Sequence, residues 1–557
     1  MRHLWNRRLV LGGMTAAAGL AFSARAQTIG KSTLPSAPFV EVETASGKVR
    51  GGHARGALVF KGIPYGGSVR GAGRFKAAPP VTPWTGVYDA THLGPPTLQT
   101  PGSTYGEQEP PYSEDCLVLN VWTPAADGRK RPVMLYLHGG GYSTGSAGST
   151  SQDGGKLAAT YDVVVVACNH RLGLLGFLYL GDILGEDYTG NQGMQDIVMS
   201  LAWIRDNIER FGGDPGNVMV FGESGGGAKV GTLLGMPQAK GLYHKAGIAS
   251  GAAMHRMPKA VAAETAQRLM KSLDLSNPRM LFDVPAQTLL ELQWAGENGQ
   301  GGLNQATPGW RNGPADSHSA PGFAEAVLPG NFGPVVDGHV LPADPFAGGA
   351  VTPLAADIPL MIGSNKEEAR FFYMGQPQMY ALDVAGLEGR VRADYGDWAD
   401  RLLTTYRADY PNASPSDLYI AITTARVFGN DTVTLAGLKS AQPAPVYAYR
   451  WDYSSNRPIA NTTATLGSGH ATDIGPTFDN GDLGGLHGDG PGVAAASANL
   501  SALWTSFARS GKPSAPGAPD WPRYDTARRA TMLVDTTCRI ADDPDAAERR
   551  LWESLEA

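Results

Sequence analysis

Phe221-Gly222-Glu223-Ser224-Gly225-Gly226-Gly227 is the stretch around which the rest of this chain is placed. The apolar run Val218-Met219-Val220 leads into it, and the residues after it can start a helix. A serine with glycine two residues to either side is the pattern of a strand–turn–helix elbow, which holds the serine Oγ outward at the top of a sheet. Neighbouring backbones nearly touch in so tight a turn, so glycine is needed at its flanks. Backbone N–H groups at the start of the following helix can then stabilise a developing oxyanion. In a chain with 73 glycines such a pattern also arises by chance, and its weight depends on what surrounds it.

The surroundings support the elbow. Upstream, the strand-like Pro132-Val133-Met134-Leu135-Tyr136-Leu137 ends in His138-Gly139-Gly140-Gly141-Tyr142. A strand that opens into consecutive glycines offers bare N–H groups, the second half of an oxyanion-binding site. Tyr161 to Ala167 is a continuous β-branched run, the mark of a strand buried on both faces of a parallel sheet. Met194, Ile197, Val198, Leu201, Ile204, Ile208 and Phe211 then fall on one helical stripe. Strand, helix, strand, elbow and helix form a βαβ series, which predicts an α/β fold. Its central sheet is expected to be mostly parallel and doubly wound, with helices on both faces and long loop insertions.

Residues 38–63 read as short antiparallel strands, residues 74–91 as a proline-rich loop, and Ser113 to Pro124 as the start of a further strand. Beyond the elbow, Ile248-Ala249-Ser250-Gly251 reads as a strand end, followed by helical segments to about residue 297. Residues 298–333 are glycine-rich and polar, a long loop near the mouth of a site. Pro359 to Gly363 and Val446 to Trp451 are strands, 467–493 are glycine-rich turns, and a helix lies around Leu500 to Phe507. With no internal repeat and no linker, residues 27–557 read as one domain.

The first 26 residues differ in kind. Arg2, Arg7 and Arg8 precede an apolar run from Leu9 to Phe22, and Ala24-Arg25-Ala26 follows. That is a signal peptide over residues 1–26, with an apolar region shorter than the roughly 20 residues a membrane span needs. The Arg7-Arg8 pair points to twin-arginine export, to periplasm or medium. Cleavage after Ala26 removes four arginines and no acids, so the net charge moves from −6 to −10, 42 basic against 52 acidic side chains. A mildly acidic protein has no electrostatic reason to seek nucleic acid or anionic membrane, and no stable membrane insertion is expected. Cys116, Cys168 and Cys538 have no metal-ligand spacing and are expected as buried free thiols. No metal site is expected.

If Ser224 is a nucleophile, an acid and then a histidine should follow it at the ends of later strands. Glu367 and Glu368 close the 359–368 segment, and of the 11 histidines only His470 and His487 come after it. A histidine has to take the serine proton and return it to the leaving group, and a buried carboxylate has to orient that histidine. Either glutamate could instead be a solvated first helical turn.

These residues carry a resemblance to the type-B carboxylesterases, the carboxylesterase/cholinesterase family of α/β-hydrolases. It extends from about Phe39 to Trp521 through the blocks FKGIPY, SEDCLVLNVWTP, LHGGGY, NHRLGLLGFL, GNQGMQDIVMSLAWIRDNIERFGGDPGNV, FGESGGG, FGPVVDG and GSNKEEARFF. The resemblance implies Ser224 as nucleophile and, through Asn365-Lys366-Glu367-Glu368-Ala369, Glu368 as the acid. It implies His470 as the base, eight residues before Phe478. It implies the N–H groups of Gly140, Gly141 and Gly225 as oxyanion donors, with Glu223 and Ser250 behind the triad. The implied activity is that of an exported serine carboxylesterase acting on small-molecule esters through an acyl-enzyme, without metal or organic cofactor. Alternatives within the resemblance are a catalytically inactive adhesion or scaffold protein, and an amidase or acyltransferase with the same triad.

There are departures from the family pattern. Thr97 stands near where the family has a cysteine to pair with Cys116, and no tryptophan occurs between Trp84 and Trp122. A choline site needs an aromatic face for its cation, so choline esters are not expected substrates. Asp473 stands where a glutamate is usual. The resemblance places Leu328 and Gly330 at the acyl pocket in place of bulky aromatics, with Phe371 and Phe372 as aromatic wall, and so implies room for acyl groups larger than acetyl.

Overall fold

Val164-Val165-Val166 has no polar side, so it can be buried only between two layers, and that is where it lies. The structure is a computed structural model that describes residues 39–99, 110–297 and 332–556. The expected signal peptide, Leu328 and Gly330 lie outside the described residues, which from Phe39 onward form one compact unit. The main sheet has thirteen strands among the described residues. In chain order they are β1 (Val40–Thr44), β2 (Gly47–Ala54), β3 (Ala57–Pro64), β4 (Val87–Asp89), β5 (Val118–Thr123), β6 (Arg131–Leu137) and β7 (Val164–Cys168). They continue as β8 (Gly213–Glu223), β9 (Lys245–Ala249), β10 (Leu360–Asn365), β11 (Val446–Trp451), β12 (Ala530–Val534) and β13 (Arg539–Asp542).

Seven strands, in the order β7-β6-β8-β9-β10-β11-β12, run parallel. The antiparallel group β1-β2-β3-β5 joins at β7, and β13 closes the other edge antiparallel to β12. β4 pairs with β2, so the proline-rich segment 74–91 contributes one short strand as well as loop.

Period-two alternation divides the core. Val133, Leu135, Val164, Val166, Val218, Val220, Ile248 and Ile362 face one apolar layer, to which helix Gln192–Asn207 adds Met194, Ile197, Leu201 and Ile204. Met134, Tyr136, Val165, Met219, Phe221, Met361 and Tyr449 face the other, covered by Leu500, Leu503, Trp504 and Phe507 of helix Val493–Ser510. Helices therefore cover both faces, as the βαβ reading requires.

Local boundaries differ from the sequence expectation. Tyr161 ends helix Gly155–Tyr161 instead of opening β7, because Asp162 adopts a left-handed conformation that stops the helix. The turns of 467–493 include one helical turn, Ile474–Thr477. Between Phe372 and Val446, where the sequence reading assigns no element, helices Val384–Tyr395, Ala399–Asp409, Pro415–Thr424 and Asn430–Ser440 are found. The apolar sides of the first three build a third cluster with Leu551 and Trp552 near the C-terminus, while Leu435 and Ala436 of the fourth join the first layer. No helix among the described residues is long and apolar enough to cross a membrane.

Because β6, β8, β9 and β10 are adjacent and parallel, their carboxyl ends lie along one edge of the sheet. The residues following them are His138, Ser224, Ser250 and the turn to Glu368. Open α/β sheets build their sites at that edge.

Candidate active site

The elbow is where the backbone is most constrained. Ser224 has φ 57° and ψ −127°, a conformation that is costly for a residue with a Cβ and persists only when its surroundings enforce it. Its N–H donates to the Ala249 carbonyl at 2.8 Å, and its carbonyl accepts from Ala228 N at 3.1 Å. A methyl group on Gly226 would lie 1.9 Å from the Leu137 carbonyl oxygen, so the elbow helix Gly225–Leu233 can approach β6 only with glycine there. A methyl on Gly222 would meet the Gly226 carbonyl carbon at 2.5 Å. The glycines of the motif are thus demanded by close approach.

The turn after β6 lies beside it. Gly140 and Gly141 have φ of +83° and +63°, which side chains disfavour. The Gly140 carbonyl accepts from Thr144 N at 3.1 Å and Thr144 Oγ1 at 3.2 Å. A methyl on Gly225 would lie 2.1 Å from the Gly141 oxygen, so these two backbones are in direct contact. The N–H groups of Gly140, Gly141 and Gly225 have no acceptor among the described residues. Two segments far apart in sequence thereby bring free donors to one place.

On the other side, Glu368 is fully buried and accepts three hydrogen bonds. Ser250 Oγ donates at 2.5 Å and Asn365 N at 2.7 Å to Oε1, and His470 Nδ1 lies 2.6 Å from Oε2. Three donors converge on one carboxyl group, whose two oxygens have lone pairs for all of them. His470 N also donates to the Glu368 carbonyl at 3.2 Å, which locks the two residues' loops together. The outer nitrogen of the ring, Nε2, lies 3.2 Å from Glu223 Oε1, beside the elbow serine. No hydrogen bond joins Nε2 to Ser224 Oγ among the described residues.

The electrostatics follow from burial. Burial pushes the Glu223 carboxyl up to about 8, with Asp473 and Glu368 adding to the push against the opposing effect of His470. Burial alone would hold the His470 imidazole down, but the carboxyl groups of Glu223 and Glu368 outweigh it and raise it. Across 3.2 Å, Glu223 and His470 therefore compete for one proton. Asp473, pushed up to about 6 by burial and Glu368, accepts from Asn365 Nδ2 at 3.2 Å.

The remaining sequence candidates separate cleanly. His487 is buried against Gly475, with no hydrogen-bond partner for its Nε2 among the described residues, and does not contact Glu368. Glu367 pairs with Arg370 at 2.8 Å and accepts from Ser468 N at 3.0 Å, a role at the start of a helical turn. Phe371 and Phe372 approach the His470 ring, with centroids 5.7 and 4.9 Å away. Phe428, which sequence reasoning did not single out, completes this wall at 4.8 Å from a π-helical turn at Ala425–Gly429. Asn365, also not singled out, ties the turn to Gly469 O at 2.8 Å. The block around Asn365 gave a signal for it; nothing local marked Phe428.

A family model described as "Carboxylesterase family" matches residues 36–552. The chain belongs to the carboxylesterase family. It is 33% identical to the para-nitrobenzyl esterase of Bacillus subtilis (strain 168), over 91% of this chain and 97% of that protein. It is 32% identical to the liver carboxylesterase of Sus scrofa, over 94% of each. Among solved structures, the carboxylesterase EST55 of Geobacillus stearothermophilus superposes with a TM-score of 0.75 at 34% identity, covering 92% of this chain and 99% of that one. The carboxylesterase neighbours share the α/β-hydrolase fold seen here, and the chain is a carboxylic ester hydrolase. Thr97, near which the resemblance leads one to expect a cysteine, is buried against the Cys116 thiol, and all three cysteines are free and buried.

Proposed function

We propose that the chain hydrolyses carboxylic esters through an acyl-enzyme, with Ser224 as nucleophile, His470 as general base and then general acid, and Glu368 as the group that orients it. The observation that carries this reading is the buried Glu368–His470 contact of 2.6 Å, held at the carboxyl edge beside a serine elbow. His470 Nε2 takes the Ser224 proton as Oγ attacks the ester carbonyl. Glu368 accepts from Nδ1–H and stabilises the imidazolium. The carbonyl oxygen turns negative against the N–H groups of Gly140, Gly141 and Gly225, which have no acceptor among the described residues. His470 then protonates the departing alcohol, and water deacylates the enzyme by the same route.

In the free enzyme Nε2 faces Glu223, so the serine's hydrogen bond to it forms as substrate enters, as is common for catalytic hydrogen bonds. A fluorophosphonate should label Ser224 alone, and Ser224→Ala should fold normally with kcat lowered by at least about 10⁴-fold. Label elsewhere, or full activity in the alanine variant, removes the assignment. An adhesion or scaffold role is not favoured, because all three catalytic side-chain types are present.

The reading includes export to periplasm or medium, supported by Arg7-Arg8 and Ala24-Arg25-Ala26. N-terminal sequencing of protein from an extracytoplasmic fraction should begin at Gln27. An intact Met1 in that fraction contradicts it.

A further inference from the structure

Lys229 is a charged side chain that ester hydrolysis as described leaves unused, and its position is unusual. It lies in the middle of the elbow helix and is fully buried. Its Nζ donates to the His138 carbonyl oxygen at 3.0 Å, the last acceptor before Gly139-Gly140-Gly141. The other groups around it are apolar or neutral. The Tyr142 ring face stands 5.7 Å from Nζ, and Cys168 keeps its proton because burial pushes its thiol up to about 11. His138 and His170 are both pulled down by burial and by Lys229 itself, so both rings are neutral at neutral pH. No carboxylate pairs with Lys229 among the described residues.

A buried ammonium with one hydrogen bond and no counter-ion costs the fold stability. A methionine would fill the same space without that cost, so a stability role does not account for a lysine here. The ammonium does connect two segments that the chemistry needs in register. The elbow helix carries Ser224 and the Gly225 N–H at its start, and the His138 peptide leads into the N–H groups of Gly140 and Gly141. Within the turn, the Gly140 carbonyl is held by Thr144 and the Gly139 carbonyl by His138 Nδ1 at 2.9 Å. The His138 carbonyl is the one held from the elbow helix.

We propose that Lys229 is a positioning residue for ester hydrolysis, a tie from the elbow helix to the His138 carbonyl that fixes the Gly139–Gly141 turn against Ser224. The side chain touches no substrate and acts through the backbone donors it aligns. Burial brings the ammonium down to about 7, and the tie survives its loss of charge, because a neutral amine still donates an N–H. The inference rests on the reading of Gly140, Gly141 and Gly225 as oxyanion donors.

The test replaces Lys229 by methionine, which keeps the volume and removes the donor, and measures kcat, KM, thermal unfolding and inhibition by a trifluoromethyl ketone. Such a ketone, attacked by Ser224, places its oxygen in the oxyanion position. Misaligned donors should lower kcat about 10- to 100-fold while KM changes by less than about twofold, since the loss falls on the transition state. The inhibition constant should rise in proportion to the loss in kcat/KM, and Tm should equal or exceed that of the wild type. Lys229→Leu, which also lacks a donor, carries the same test if the methionine variant does not accumulate as folded protein. Wild-type kcat/KM in either variant overturns the proposal, as does a fall in kcat with the inhibition constant unchanged. Ser224→Ala in parallel separates the two readings. If it is inactive while Lys229→Met is at the wild-type level, only the tie has failed; if it is active, the catalytic reading itself has failed.

Discussion

The two halves of the site are built on different principles. The elbow and the glycine turn are made of backbone. Their shape comes from φ values and from places where no Cβ fits, such as Gly226 against Leu137 O at 1.9 Å. The acid–histidine half is made of side chains, brought together from β9, β10 and the 467–480 loop by hydrogen bonds to Glu368. The first half should therefore fail when an atom is added, and the second when one is taken away.

The largest effect tests the side-chain half at its centre. His470→Ala should lower kcat about 10⁴-fold, whereas His487→Ala should stay within about twofold of wild type, by steady-state kinetics. The reverse pattern would move the base and dismantle the contrast. Next come two paired changes of a few atoms. Gly226→Ala should displace the elbow from β6 and cost about 100-fold in kcat together with about 3 kcal/mol or more of stability. Ser250→Ala removes one donor from Glu368 and should cost about tenfold in kcat with KM held. A benign Gly226→Ala would mean that the elbow tolerates what its close contacts forbid.

The smallest effect sharpens the boundary between the halves, where Glu223 belongs to the elbow but faces the histidine. The carboxyl of Glu223 raises the His470 imidazole, and the base must be neutral to accept a proton. Removing that carboxyl in Glu223→Gln lowers the imidazole's affinity for its proton, so the acid limb of kcat/KM should move to lower pH, by about one unit. A limb that stays in place would show that Glu223 does not act on His470.

The same contrast explains what could be read from the chain. The elbow, the glycine turn and the buried run of β7 were legible because each is decided by neighbours in sequence. Glu367 and Glu368 were not separable by local pattern, since both follow the same strand. What separates them is burial and the pairing of Glu367 with Arg370, and only the family resemblance favoured Glu368 beforehand. The tie from Lys229 to His138 spans 91 residues and leaves no local trace. Phe428 is in the same position, because its place beside His470 depends on how a helical region packs. That region was nonetheless readable in part. Leu387, Val391 and Tyr395 are spaced four apart and all buried on one helix, a periodicity the sequence already displayed.

The three unpaired cysteines have a practical consequence. Cys168 lies at the end of β7, where the parallel strands meet the antiparallel group, with no exposed surface, Cys116 beside Thr97 has none either, and Cys538 lies near the far edge beyond β12 at 7% exposure. A thiolate must reach solvent before it can attack a disulfide reagent, and burial holds the Cys116 and Cys168 thiols at about 12 and about 11. Their reaction with a chromogenic disulfide therefore times the opening of the molecule and needs no engineered label. Cys538 serves as a separate clock for its edge of the sheet.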